Sequence, residues 1–191
     1  MKNILIYGAG SNSVSLINLI ESLNKYKIVG IIGLKSELGK KILKYRVNYT
    51  DKDINFLSKK YSLIALSNTY YDNLKERIKV ISRLKKKFEM PSLISPTAII
   101  NNYFKKGMGI QIYNSAVINT QNKIGNYVLI NTGSIIEHDV KLGENVHIST
   151  RVTINGGCHI RKNSFIGSGS VLLQNKLVKS NSYIKMFSRI I

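Results

Sequence analysis

Three histidines, His138, His147 and His159, are the only imidazoles in the chain of 191 residues, and all fall in its second half. Acids are scarce there: residues 91–191 carry only Glu137, Asp139 and Glu144. Two of these three flank His138. A carboxylate beside an imidazole raises its basicity and holds one tautomer, which suits a general base working near neutral pH. His138 is therefore the candidate base, with Asp139 or Glu137 to orient it. Strand alternation puts both acids on the face opposite His138 unless the chain turns there, so spacing leaves the choice between them open. The single cysteine, Cys158, excludes a disulfide scaffold and a cysteine zinc site, and no metal is expected.

A short repeat must position these groups. From Ile112 to Ile190 every sixth residue is Ile, Leu or Val, fourteen in succession. The place four residues after each aliphatic is mostly small or Val, as at Val128, Ser134, Val140, Cys158 and Ser164. Glycine often follows the aliphatic, as at Gly125, Gly143 and Gly167, where a turn between flat faces calls for permissive backbone. A strict period of this kind predicts a β-solenoid, each coil stacking its aliphatics on the next. Three hexads close a triangular coil, so residues 18 apart stack at about 4.8 Å. In that register none of the histidines points inward. His138 stands two places after its aliphatic, His147 and His159 five places after theirs. Cys158 does point inward, which predicts inert core rather than a reactive nucleophile. Gly156, one coil above His138, offers a backbone N–H as an oxyanion donor. His147 is half a coil from His138, so the two meet only between chains packed side by side.

Residues 1–90 are patterned differently. Ile4–Tyr7, Ile28–Ile32 and Ser62–Leu66 read as buried strands. Val14–Leu23 carries a helical stripe at Val14, Leu16, Ile17, Ile20 and Leu23, and Tyr70–Phe88 reads as a charged helix with Leu74, Ile78, Ile81 and Leu84 on one side. Strands spaced by helices predict a small Rossmann-like α/β domain over 1–90, with the solenoid over 91–191 and a boundary at Met90-Pro91. Gly8-Ala9-Gly10-Ser11-Asn12-Ser13 links the first strand to the first helix, where backbone N–H groups and the helix dipole attract phosphate. As a dinucleotide fingerprint it falls short. Ser13 stands where the third glycine belongs, and Ile32-Gly33-Leu34-Lys35 has no acid for a ribose, which argues against NAD.

The hexads resemble those of the left-handed parallel β-helix acyltransferases. Tyr7-Gly8-Ala9-Gly10 opens the α/β part, and Ser95-Pro96-Thr97-Ala98 leads into the coils. Ile135-Ile136-Glu137-His138-Asp139 is followed by Gly143-Glu144-Asn145-Val146-His147. Together these make nearly the whole chain similar to the NeuD/PglD-type sugar O- and N-acetyltransferases. The resemblance implies a homotrimer with acetyl-CoA in the groove between adjacent solenoids. It favours Asp139 as the acid behind His138, places His147 against the acyl donor near its thioester, and sets Gly156, Gly167 and Ser168 near the pantetheine arm. It puts the nucleotide of a sugar acceptor on Gly10, Ser11 and Asn12. His159 matches no role and reads as surface. The chain also departs from the family pattern. Asn12 and Ser13 stand where a His and a Gly commonly follow the loop glycine, and the acidic pair after the second strand is missing. Asn181–Ile191 keeps Ile184 and Ile190 without a glycine-rich last coil or a Gly-x-Pro-Ala-Lys-like tail. An altered acceptor pocket and a weaker hold on acetyl-CoA are the expectation.

Lys and Arg outnumber Asp and Glu 29 to 10, a net charge of +19, which ordinarily points to nucleic acid or an anionic membrane. The excess is spread along the chain, 18 basic against 7 acidic residues in 1–90 and 11 against 3 in 91–191, as an AT-rich codon bias would spread it. No nucleic-acid module accompanies it, and the cations of Arg83–Lys87 suit a helix C-terminus. The field suits anionic CoA and nucleotide-sugars instead. With no signal-peptide layout and no window of ~20 apolar residues, neither membrane insertion nor export is expected, and a cytoplasmic protein is. The leading expectation is acetyl transfer from acetyl-CoA to an amine or hydroxyl of a sugar, often nucleotide-linked, in bacterial surface glycan synthesis. Two readings stand beside it. One is O-acetylation of sialic acid or another free or polymeric sugar, which accounts for the missing acids. The other is a solenoid that has kept its aliphatics and lost its ligand sites.

Overall fold

A computed structural model describes residues 1–67 and 74–191. Contacts divide the chain into two compact units, one closing at Pro91 and one running Ser92–Ile191.

In the first unit, β1 (Lys2–Tyr7), β2 (Tyr26–Ile32), β3 (Lys41–Ile42), β4 (Tyr45–Tyr49) and β5 (Leu63–Leu66) form one sheet in the order β3-β4-β2-β1-β5. All neighbours are parallel except β3 and β4. Ile4, Leu5 and Ile6 of β1 and Ile64 of β5 are fully buried, as the central strands of a parallel sheet must be. Helix α1 (Asn12–Ser22) buries Leu16, Ile17, Leu19 and Ile20. The predicted stripe is thus rotated: Val14 is exposed and Leu19 replaces it. Helices α2 (Ile54–Lys60) and α3 (Leu74–Leu84) complete the unit. Of the predicted helix Tyr70–Phe88, residues 70–73 lie outside the described residues. Its end comes at Leu84, where Ile81 and Leu84 are buried and the chain then turns so that Phe88 also reaches the interior. The β3–β4 hairpin and α2 have no forecast in the sequence, because strands of two and five residues and a helix of seven are shorter than the windows that reveal a period.

The second unit is the left-handed parallel β-helix anticipated from the hexads. Two-residue strands stack into three parallel sheets, each paired in a register of 18. On the first face Leu129–Ile130 pairs with His147–Ile148 and that with Phe165–Ile166. On the second, Ile135–Ile136 pairs with Thr153–Ile154. On the third, Lys123–Ile124 pairs with Lys141–Leu142. The aliphatics from Ile112 to Val178 line one continuous core, joined by Val128, Val140, Val146, Val152 and Cys158. Ser134, at the same inward position, donates its hydroxyl to Ser149 O at 2.7 Å, which offsets the cost of burying it. The coils begin at Leu93, before the periodic run in the sequence, because Lys106 interrupts the aliphatic series on the first turn.

The permissive backbone expected at the turns is divided between two positions. Gly125, Gly143 and Gly167 do not adopt left-handed backbone. An added Cβ on Gly125 or Gly167 would stand 2.8 or 2.4 Å from backbone of the next coil, so these glycines serve close stacking. The left-handed residue comes two places later, at Tyr127, Asp139, Asn145, Arg151 and their equivalents, φ 57, 59, 57 and 54°.

Candidate active site

That left-handed position decides the chemistry at His138. Strand Ile135–Ile136 ends, and the backbone bends at Asp139 with φ 59°, a conformation Asp tolerates better than most residues. The bend breaks the alternation that would have separated the two side chains. Asp139 Oδ2 lies 2.9 Å from His138 Nδ1. The pair is open to solvent, the side chains 60% and 53% exposed. Glu137 points elsewhere and accepts a hydrogen bond from Asn119 Nδ2 at 2.8 Å. Of the two flanking acids, Asp139 is the one in contact with the His138 ring.

One coil on, Gly156 makes room for the imidazole. A Cβ there would stand 2.6 Å from His138 Cε1 and 2.7 Å from Nε2. The ring lies across the glycine because no side chain is present. The ladder passes on either side, Asn155 N donating to Leu172 O at 3.1 Å and Gly157 N to His138 O at 3.0 Å. Glu137, His138, Asp139, Gly156, Gln174 and Asn175 are among the residues around an open cleft of about 520 Å³. An imidazole with one nitrogen held by a carboxylate and the other beside backbone in an accessible cleft can take a proton from a nucleophile.

The other expected residues lie elsewhere. His147 starts a strand on the first face and is 5% exposed, with the Phe165 ring edge-on at 5.0 Å. Its outward register does not make it a surface residue, because Leu129 and Phe165 in the same column are buried too. The expected approach of an acyl donor to His147 therefore finds no open side chain in this chain. Gly167 is buried, and Ser168 shares a hydrogen bond with Ser149, Oγ to Oγ 2.8 Å. Both follow the first face, so one chain does not bring them to His138. His159 is half-buried on the third face beside Lys141, and burial, helped by Arg161 and Lys141, pushes its pKa down. Cys158 is fully buried and donates to Leu173 O at 3.0 Å. Burial pushes its thiol pKa up, so it stays protonated. Among the described residues no group of three or more His, Cys, Asp or Glu is placed to hold a metal, and no helix is long and apolar enough to cross a membrane.

In the first unit Gly10 and Ser11 are exposed at the start of α1, with open space around Gly10. Asn12 is occupied structurally, its Nδ2 donating to Ser67 O at 3.0 Å. The Ser67 hydroxyl is buried and has no hydrogen-bond partner among the described residues. At the end of β1, Tyr7 and Arg83 both bind Asp51: Tyr7 Oη donates to Oδ1 at 2.8 Å, and Arg83 reaches both carboxylate oxygens at 2.9 and 3.0 Å. Burial pushes Asp51 up, but the Arg83 and Tyr7 hydrogen bonds outweigh it and hold the carboxyl below its ordinary range. Sequence patterning missed this cluster, since its members are 44 and 32 residues apart. It also missed that an acid stands near the end of β2. Glu37 accepts from Leu34 N at 2.9 Å and lies 3.7 Å from Lys40, so it braces the turn.

Residues 123–156 and 139–174 match the family of the bacterial transferase hexapeptide (six repeats). No curated protein matches the chain in sequence. Among solved structures it is similar to the acetyltransferase domain of PglB from Neisseria gonorrhoeae FA1090 in complex with acetyl coenzyme A, at 24% identity and a TM-score of 0.87 over 99% of this chain and 92% of that one. A mutant of perosamine N-acetyltransferase from Caulobacter crescentus, in complex with CoA and GDP-perosamine, superposes with a TM-score of 0.79 at 17% identity over 97% and 94%. WeeI from Acinetobacter baumannii AYE does so with 0.86 at 20% over 100% and 92%. At these identities the likeness is one of fold.

Proposed function

We propose that this protein is an acetyltransferase that moves an acetyl group from acetyl-CoA to an amine or hydroxyl of a sugar, often nucleotide-linked, in bacterial surface glycan synthesis. The observation that carries the reading is the His138 Nδ1 to Asp139 Oδ2 contact of 2.9 Å, with the ring laid over Gly156 in an open cleft. Its background is a fold held in common with acetyltransferases whose structures contain acetyl coenzyme A, or CoA and GDP-perosamine.

In the proposed reaction Asp139 fixes the proton on Nδ1, leaving Nε2 as the base. As the acceptor nitrogen or oxygen attacks the thioester carbonyl, Nε2 takes its proton, and the negative charge on the carbonyl oxygen is met by the Gly156 N–H. Collapse breaks the carbon–sulfur bond, and His138 returns the proton to the departing thiolate. Both bonds change within one complex, so no acyl-enzyme is needed and Cys158 has no part. Gly167 and Ser168 serve the pantetheine arm only if a neighbouring copy faces His138, so a homotrimer belongs to the proposal, as does a cytoplasmic site of action. His147 is left out of the proposed site on account of its burial. The unit over 1–90 takes the nucleotide of the acceptor in this reading, with the exposed Gly10 and Ser11 facing it and Asn12 bracing the loop. Glu37, the acid near the end of β2, is taken up by the Leu34 N–H and Lys40, which keeps a free or polymeric sugar, sialic acid included, as the second reading.

A thiol-release assay with acetyl-CoA and a panel of amino and hydroxyl sugars tests the proposal. Turnover with at least one acceptor is expected. No turnover with any of them, together with no CoA binding by calorimetry, would leave a scaffold that has lost its ligand sites.

Gly156→Ala gives a second test. The added methyl cannot share space with the His138 ring, so the ring must rotate off the glycine. Because that ring is exposed, the fold loses little, while a displacement of about 1 Å at a catalytic group can cost up to ~10²-fold in rate. The expected result is a fall in kcat with a thermal midpoint close to that of the parent protein.

A further inference from the structure

The third face of the solenoid carries a charge pattern that folding does not explain. Lys105, Lys123 and Lys141 are in register on adjacent parallel strands, Lys123 pairing with Lys105 on one side and Lys141 on the other. All three are exposed. Strand neighbours stand about 4.8 Å apart, so three ammonium groups share a column about 10 Å long. Like charges directly opposite each other destabilise a sheet, and among the described residues none of the three has an ion-pair partner. The nearby acids are engaged elsewhere, Asp139 with His138 and Glu137 with Asn119.

The column lines an open cleft of about 550 Å³ together with Tyr103, Gln121 and Asp139. Asp139 and Gly157 line this cleft and also the one that holds His138. A molecule seated on the lysines therefore lies next to the proposed base. The volume suits a small molecule. Amide, hydroxyl and ammonium groups around it suit a polyhydroxylated compound that bears negative charge.

We propose that Lys105, Lys123 and Lys141 form an anion-binding column that holds the acceptor, and that the acceptor is a sugar carrying carboxylate or phosphate charge on the portion near the solenoid. The inference rests on the acetyl-transfer reading and names the substrate class for it. The acceptor is the favoured occupant because the donor's thioester must sit at Gly156, and the pantetheine arm separates that thioester from the donor's phosphates by many bonds. The lysines act as point charges that position the acceptor, and they do not touch the reacting atoms.

Calorimetric binding to the full chain tests the column without turnover. The probes are glucuronate, glucose 1-phosphate, neutral N-acetylglucosamine and CoA. At low salt, one of the two anionic sugars binds more tightly than the neutral one. Because the triple variant Lys105→Gln, Lys123→Gln, Lys141→Gln removes every cation of the column, it should lose about tenfold or more of that affinity. It should lose none for N-acetylglucosamine or CoA. Relief of repulsion should leave its thermal midpoint unchanged or raised, and Lys123→Gln alone gives the same contrast in smaller degree if the triple variant folds poorly. The proposal is overturned if neither anionic sugar is preferred, if the variants bind all probes as the parent does, or if only CoA affinity falls. These results are separate from the fate of the acetyl-transfer reading. Anion binding that depends on the lysines in a protein without turnover keeps the column and removes the enzyme. Turnover indifferent to the lysines does the reverse.

Discussion

Changing His138 to alanine should lower turnover by ~10²-fold or more, the scale on which a general base contributes, while the thermal midpoint stays close to that of the parent protein. The two expectations come from the same geometry. The imidazole is 60% exposed, so truncating it removes little apolar contact and leaves the coil ladder intact, since the bonds around it are made by backbone. A group that is catalytic in this sense affects kcat without a matching change in stability. Asp139→Asn should lower kcat by a smaller factor, because the base remains and only its tautomer and orientation are lost. Thiol release under saturating acetyl-CoA measures both. Full activity in the His138 variant would remove the histidine from the mechanism, and a collapse of its melting curve would mean that its role is structural.

Ile148→Ala should act in the opposite manner, with a large loss of stability away from the His138 cleft. Ile148 is fully buried between Ile130 and Ile166 on the first face. Truncating a buried Ile costs about 2–5 kcal/mol, the upper values applying where the surroundings cannot close over the cavity. A solenoid closes poorly, since each strand is held in register by hydrogen bonds to the coils above and below. For a chain of this size a loss of 1 kcal/mol lowers the midpoint by roughly 2–4 °C, so a drop of about 4–20 °C follows from those ranges together. Ile190→Ala supplies the control. Ile190 occupies the same repeat position but is only half-buried, and its truncation should cost a small fraction of that amount. Equal losses at the two positions would contradict a core whose strength depends on stacking from both sides.

The repeat is the most legible feature of the chain because its cause is local and recurs. A triangular coil needs an inward aliphatic on every flat face, so the period of six appears wherever the coils do. Lys106 shows the limit of that reading. One polar residue at the repeat position keeps the first coil out of the unbroken aliphatic run, although its strands at Leu93–Ile94 and Ile99–Ile100 pair with the next coil like any other. In the first unit, long buried strands and α1 follow from apolar periodicity, whereas the β3–β4 hairpin and α2 depend on contacts made after the chain has folded. Glycines misled in an instructive way. Their place after Ile124, Leu142 and Ile166 suggests turns that need permissive backbone, yet the nearness of the next coil, whose backbone would lie only 2.4–2.8 Å from an added Cβ, is what requires them.

His138 and Asp139 stand out in the sequence because acids are rare around them, and their chemical pairing can be proposed from residue type alone. Their contact cannot, since it depends on one backbone angle at Asp139 that overturns strand alternation. Burial of His147 is likewise beyond register. Register states which way a side chain leaves the strand, and the packing of Phe165 beside it decides whether water reaches it. The lysine column is present in the sequence as residues 18 apart, but within a net charge of +19 it has no distinguishing mark. Composition and period therefore specify which residues share a face of this protein. Turn geometry and packing over that face specify which of them touch, which are open to a ligand, and which are sealed away, because those outcomes depend on atoms brought together from distant parts of the chain.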